Sequence, residues 1–295
     1  MARRKKKPSI LMTLILLVIL AFFAWRGGLF GEKRQQETVE GMLEVHIVDV
    51  DQADCTLVIA EGGNVLIDAG DVETADEVAQ YLRDLGITKL EYAIFTHPDA
   101  DHIGGAAAVI SGFDVANVIL PALHEGDVPT TKVYERMITA LEQKTDTNVI
   151  PATPGEVYEI GELKMKILAP LSDNYSNIND YSVATRLDFG ATSFLFTGDA
   201  LEKAEGEMVA HYPASELKAD FFQAGHHGAK NANTPEFIRA VSPSIVAVSC
   251  GADNKYGHPT REALDSFAAV NATVYRTDEL GTMIFISDGE EITKK

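Results

Sequence analysis

Residues 95–105 read FTHPDADHIGG, which puts two histidines and two aspartates within six positions: His97, Asp99, Asp101 and His102. Imidazoles and carboxylates at this density make a poor apolar core, and a solvated loop has no need of them. Buried without partners, each carboxylate would cost several kcal/mol. Without a cation these groups would repel or stay poorly satisfied, so the spacing points to metal binding. Three further stretches carry the same residue types: Asp199 in FTGDA, the pair His226 and His227 in FQAGHHGAK ahead of Lys230, and His258 in NKYGHP. Five of the eight histidines lie in these four stretches. The others, His46, His124 and His211, stand alone and read as structural or surface residues. Taken singly, an aspartate after a strand is an ordinary cap and a lone loop histidine is ordinary too. The dense loop carries the argument.

Each of these stretches adjoins a β-rich run. Residues 43–50 (LEVHIVDV), 55–60 (CTLVIA) and 64–68 (NVLID) predict strands, and helical periodicity from Asp71 closes at Gly86. The run 91–95 (EYAIF) leads straight into the histidine–aspartate loop, and 117–121 (NVILP) predicts another strand. Residues 157–169 and 182–197 read as hairpins, and 221–225 and 244–249 as strands. Helices are expected at 131–143, 201–212, 234–241 and 260–269. Hairpins mixed with interleaved helices imply an α/β sandwich, two mixed sheets with helices outside.

The N-terminus is of another kind. Arg3 to Lys7 are five consecutive basic residues, and residues 9–25 (SILMTLILLVILAFFAW) hold no charge. A signal-peptide apolar core runs about 7–15 residues and a membrane span about 17–25. The run has no well-placed pair of small residues for cleavage, so an uncleaved anchor is expected. The organisation that follows is a basic cytoplasmic tail (1–8), a transmembrane anchor (9–25), a polar linker (26–42) and a folded domain (43–290). The basic cluster places the N-terminus in the cytoplasm and the bulk of the chain on the extracytoplasmic side of the cell membrane. Residues 1–34 hold eight of the 25 Lys/Arg and one of the 44 Asp/Glu, so the rest carries 17 against 43, a balance of −26. So acidic a domain has no general affinity for nucleic acid or anionic membrane, and an anionic substrate must be attracted locally. Cys55 and Cys250 either pair, in an exported domain, or remain two buried thiols.

HPDADH followed by Ile-Gly-Gly resembles the signature of the metallo-β-lactamase superfamily, an αββα sandwich holding one or two metals. Asp68 in LIDAG, Asp199 in FTGDA and the late His258 follow in that family's order. The chain further resembles the ComEC-type branch, the C-terminal domain of competence DNA-uptake proteins. VDVDQADC is similar to that branch's first turn, and aspartate at the middle of HxDxDH, HHG before a lysine, and YGHP fit it too. Asp51 and Ala53 stand where the branch has glycines. The superfamily's third-motif histidine is absent, and NINDYSVATRL offers Asn179, Asp180 and Ser182 instead. The resemblance implies two divalent ions, zinc or manganese. One would take His97 and Asp99, with His226 as an addition; the other would take Asp101, His102 and His258. Asp199 would bridge them, and Asp68 would orient a ligand histidine. His227 and Lys230 would neutralise oxygens of the reacting group.

The function this implies is hydrolysis of a phosphodiester by a metal-bound hydroxide, Asp101 contributing at the catalytic centre. Nucleic acid, a nucleotide and a cell-wall phosphate are all candidate substrates; no protein partner is implied. Two alternatives stand beside it. One is β-lactam or ester hydrolysis on the same fold, which Asp99 in place of a histidine disfavours. The other is a non-catalytic surface protein with a relict site.

Overall fold

A computed structural model describes residues 41–295. The expected tail, the membrane span and all but the end of the linker lie outside the described residues. Among the described residues no helix is long and apolar enough to cross a membrane.

The first sheet contains β1 (Leu43–Ile47), β2 (Thr56–Ala60), β3 (Gly63–Ile67), β4 (Lys89–Ile94), β5 (Asp114–Leu120) and β6 (Asn148–Pro151). The second contains β7 (Val157–Ile160), β8 (Leu163–Ile167), β9 (Thr185–Phe189), β10 (Thr192–Phe196), β11 (Phe221–Gln223), β12 (Ile245–Val248) and β13 (Thr273–Arg276). The chain then returns to the first sheet through β14 (Met283–Ser287) and β15 (Ile292–Lys294), giving the order β15-β14-β1-β2-β3-β4-β5-β6. The second sheet runs β13-β12-β11-β10-β9-β8-β7. Central strands such as β2 and β10 are buried at every position, as continuous apolar runs require. Nearer an edge, β8 alternates, with Leu163, Met165 and Ile167 inward and its lysines outward.

Both sheets are antiparallel on one side and parallel on the other. In the first, pairing becomes parallel at β3; in the second, it does so at β10. Asp68 follows the first of these pivot strands and Asp199 lies three residues past the second. The carboxyl ends of strands at such a switch point are where open α/β sheets leave a crevice.

Three apolar layers hold the sandwich. Between the sheets, Val45, Ile47, Val65 and Ile94 meet Leu187, Phe194, Phe196 and Phe221. Helices Ala75–Asp84, Ala106–Gly112 and Lys132–Gln143 pack Val78, Leu82, Val109 and Met137 on the outer face of the first sheet. Helices Glu202–His211, Pro235–Val241 and Arg261–Ala269 pack Met208, Phe237, Ile238 and Phe267 on the second. Thr131, Thr234 and Thr260 cap their helices by accepting from Tyr134 N, Phe237 N and Ala263 N, which is why those starts are readable.

The structure departs from the expectation in three places. The first helix begins at Ala75 because Asp71 and Thr74 close a turn on each other. Strand β6 went unread because it is mostly exposed and shows no alternation. Cys55 and Cys250 are free and buried, one in the outer layer of each sheet, so a bridge between them is excluded.

Candidate metal centre

The two pivot aspartates organise everything else. Asp68 takes φ +59° and accepts from Thr96 N at 2.8 Å and Thr96 Oγ1 at 2.7 Å. Its Oδ2 also accepts from His102 Nδ1 at 2.7 Å. The Thr96 hydroxyl, its proton given to Asp68, is left to accept from His97 Nδ1 at 3.2 Å. Both rings are thereby fixed with Nδ1 occupied and Nε2 facing the crevice. The Asp68 role matches the expectation; Thr96 was not foreseen.

Asp199 stands opposite. Its loop turns at Gly198, φ +51°, where an added Cβ would meet the Thr96 side chain at 2.7 Å. Asp199 N donates to Ser182 Oγ at 3.1 Å. Each carboxylate oxygen faces a different set of rings. Oδ1 lies 3.2 Å from His102 Nε2 and 4.0 Å from His227 Nε2. Oδ2 lies 3.4 Å from His226 Nε2 and 3.9 Å from His97 Nε2. Asp99 Oδ2 is 3.7 Å from His97 Nε2, and Asp101 Oδ2 is 3.4 Å from His227 Nε2.

His227 is where the geometry differs most from the expectation. Its Nδ1 donates to Ser249 O at 3.1 Å and lies 3.3 Å from Asp54 Oδ1, so its Nε2 points inward among Asp101 and Asp199. It takes the place beside Asp101 and His102 that the resemblance had given to His258. His258 lies at the mouth, its ring 5.6 Å from that of His226 and 6.4 Å from that of His227. Gln52 Oε1 accepts from Gly251 N, so its amide nitrogen is the group that meets His258 Nδ1 at 3.4 Å. That leaves the ring proton of neutral His258 on Nε2. Lys230 is exposed and makes no described contact with the cluster.

Asp180 and Ser182 do not line the cluster. Asp180 Oδ1 accepts from Leu201 N and Ala204 N at the start of the helix after Asp199, and Ser182 braces Asp199 itself. Gln52 and Asp54, which contact His258 and His227, lie in the VDVDQADC turn, and no spacing in that turn marks either residue. Asp51 takes φ +60° there, so the turn keeps a left-handed position without the glycine.

Residues of this set fit divalent cations. Buried Nε2 atoms of His97, His102 and His227, and Asp199 Oδ1, make no aligned hydrogen bond. Two ligand atoms each about 2.1 Å from a tetrahedral centre stand about 3.4 Å apart. The separations above scatter around that value. His97, His102 and Asp199 form one such group and Asp101, His102 and His227 another.

Electrostatics agree. Burial opposes charge on His102, yet Asp199 and Asp68 outweigh it and lift the ring well above the ordinary imidazole value. Burial likewise opposes charge on His227, and Asp54, Asp199 and Asp101 outweigh it. Burial pushes Asp101 up, but the His227 hydrogen bond and the His102 charge bring it down to about 2. Burial lowers His258 to about 4, helped by the neighbouring rings. The cluster thus attracts positive charge strongly, and a cation would compete for the same atoms with the protons on His102 and His227.

A family model of the metallo-beta-lactamase superfamily matches residues 48–252, and the chain belongs to that superfamily. Its members are generally metal-dependent hydrolases. The chain is 29% identical over 258 residues to ComE operon protein 3 of Bacillus subtilis. It is 26% identical over 257 residues to Competence protein ComA of Neisseria gonorrhoeae. Both relatives are competence proteins of the ComEC type. The alignments cover 81% and 87% of this chain but 32% and 34% of those proteins, so it spans about a third of their length. Among solved structures, the metallo-beta-lactamase fold protein YhfI of Bacillus subtilis superposes with a TM-score of 0.55 at 13% identity, covering 83% of this chain and 99% of that one. A metallo hydrolase from Ignicoccus hospitalis gives 0.51 at 16% identity, covering 82% and 98%. These two likenesses speak to the fold alone.

Proposed function

We propose that the domain is a two-cation phosphodiesterase, held at the outer face of the cell membrane by residues 9–25. The observation that carries this is the convergence of three buried, unpartnered ring nitrogens on the two oxygens of Asp199. His97, Asp99, His226 and Asp199 Oδ2 would hold one cation; Asp101, His102, His227 and Asp199 Oδ1 would hold the other. Zinc suits the imidazoles, and manganese suits a set with three carboxylates. When bound, such a pair lowers the pKa of water and neutralises anionic oxygens.

Charge favours a phosphodiester. Two divalent ions against Asp99, Asp101 and Asp199 leave the pocket about one unit positive inside a domain of −26. Asp68, Thr96, Asp54 and Ser249 hold the ring orientations, so little reorganisation accompanies substrate binding. The Nε2–H of His258 would donate to a non-bridging oxygen. A groove of about 500 Å³ opens from Asp101, lined by Asp51, Asp71 and Asp253 as well as Lys255 and Tyr256. Its carboxylates oppose a tight grip on a long duplex, so a small or end-bound phosphodiester suits it better. The ComEC-type relatives support a nucleotide or DNA end as that substrate.

The test is hydrolysis of a chromogenic phosphodiester with zinc, manganese or chelator, in the wild type and in Asp101→Ala and His102→Ala. Activity dependent on added cation and abolished by both substitutions is the expected result. Activity indifferent to chelator and to both substitutions would end the proposal, and absence of activity under every condition would favour a binding role.

A further inference from the structure

His226 and His227 follow one another with both backbones in the left-handed region, φ +50° and +54°. Residues with a side chain are uncommon there, and two in succession persist only when their surroundings hold them. Asn233 does so. Its Oδ1 accepts from Gly225 N at 2.9 Å, and its Nδ2 donates to Gly225 O at 2.8 Å and to Ala229 O at 3.4 Å. One amide therefore clamps both peptides flanking Gly225 and reaches the far end of the His-His-Gly turn.

Asn233 is itself held. It is buried at φ +58°, and its backbone N–H donates to Glu205 Oε1 at 2.6 Å. Thr234 N donates to Glu205 Oε2 at 2.8 Å. Glu205 is wholly buried and lies on the helix Glu202–His211, which begins three residues past Asp199. Glu202 N donates to Asn231 O at 3.0 Å, a second tie between the same two segments. No bond of Asn233 or Glu205 reaches a histidine ring.

We propose that Asn233 is the positioning residue of the His226–His227 pair and that Glu205 fixes Asn233. Together they register the histidine turn against the Asp199 segment from behind, setting how closely the two Nε2 atoms approach Asp199. The inference rests on reading the cluster as a cation site. Glycine at 233 keeps the left-handed backbone without strain and removes only the amide.

The test compares the full chain, purified in detergent, with Asn233→Gly and Glu205→Gln, using cobalt(II) alone as the probe. Affinity comes from equilibrium dialysis and ligand geometry from the visible absorption of bound cobalt. Thermal unfolding in chelator reports the fold separately. Asn233→Gly is expected to weaken cobalt binding on the order of 10–100-fold, as loss of a ligand-orienting contact does, and to change the spectrum. Glu205→Gln, which keeps one of two acceptor oxygens, is expected to move both readouts the same way by less; it carries the test if Asn233→Gly fails to fold. A lowered unfolding temperature with wild-type cobalt affinity and spectrum would make the clamp merely structural and overturn the proposal. A wild type that binds no cobalt would remove the cation reading first, and the clamp's role with it.

Discussion

His46 and His102 look alike by every coarse measure. Both are buried, at 1% and 0% exposure, and each has a carboxylate on one ring nitrogen, Glu44 at 3.0 Å and Asp68 at 2.7 Å. They part at the second nitrogen. Nδ1 of His46 meets the Tyr81 hydroxyl at 2.8 Å, so that ring is fully partnered. Nε2 of His102 approaches Asp199 Oδ1 to 3.2 Å without aligning as a hydrogen bond. Neither burial nor a carboxylate neighbour marks a site histidine. The mark is a second nitrogen left over and aimed at other groups in the same position.

The sharpest way to break this contrast is to remove each ring. His102→Ala should abolish cation binding at its half of the cluster and lower cation-dependent hydrolysis on the order of 10³-fold or more, about 4 kcal/mol of barrier. His46→Gln should leave both within experimental scatter. Its cost falls on stability, about 1–3 kcal/mol by chemical denaturation, because the Tyr81 hydroxyl and Glu44 lose their partner. Equal losses of activity in the two variants would show that the leftover nitrogen does not distinguish them.

A second comparison moves one bond outward, to the carboxylates. Asp68→Asn should weaken cation binding by about 10–100-fold, since the amide cannot serve Thr96 N, the Thr96 hydroxyl and His102 Nδ1 together. Glu44→Gln should not change cation affinity. Calorimetric titration of zinc into both variants decides between them.

The sequence made one side of this contrast plain and hid much of the other. His97, Asp99, Asp101 and His102 were legible because four ligand residues in six positions leave little room for another role. His46 was legible as structural because it stands alone in a strand. Asp199 and His258 depended on family order, since neither is informative singly. The place of His227 beside Asp101 and His102 was not legible, and it was read only as neutralising oxygens, because the left-handed turn of the His226–His227 pair leaves no pattern in side-chain periodicity. Asp54, Gln52 and Asn233 act through partners that are distant along the chain or through backbone groups, and Thr96 joins its neighbour His97 to the distant Asp68; no local spacing encodes either. The layers were easier, because continuous apolar runs for central strands and threonine caps for helices are local signals. Strand β6, exposed at an edge, carried neither.

The smallest effect sharpens the contrast through its sign. Burial, outweighing Glu44, holds His46 below the ordinary imidazole value, so the unfolded chain binds the extra proton. Its stabilisation is full above about pH 6.5 and is lost as pH falls toward its folded value. His102 behaves oppositely in the cation-free protein. Its folded value is raised, so its contribution is full below about pH 6.5 and is lost as pH rises through the folded value. Denaturant unfolding in chelator across this range, for the wild type, His46→Gln and His102→Gln, should therefore show two opposite changes of slope. His46→Gln removes a part of stability that grows with pH, and His102→Gln removes a part that declines with pH. The same logic makes zinc affinity rise with pH, by up to tenfold per unit for each proton displaced, and His46→Gln should leave that dependence intact. Slopes that change in the same direction in both variants would mean that the proton on His102 is not held by Asp68 and Asp199.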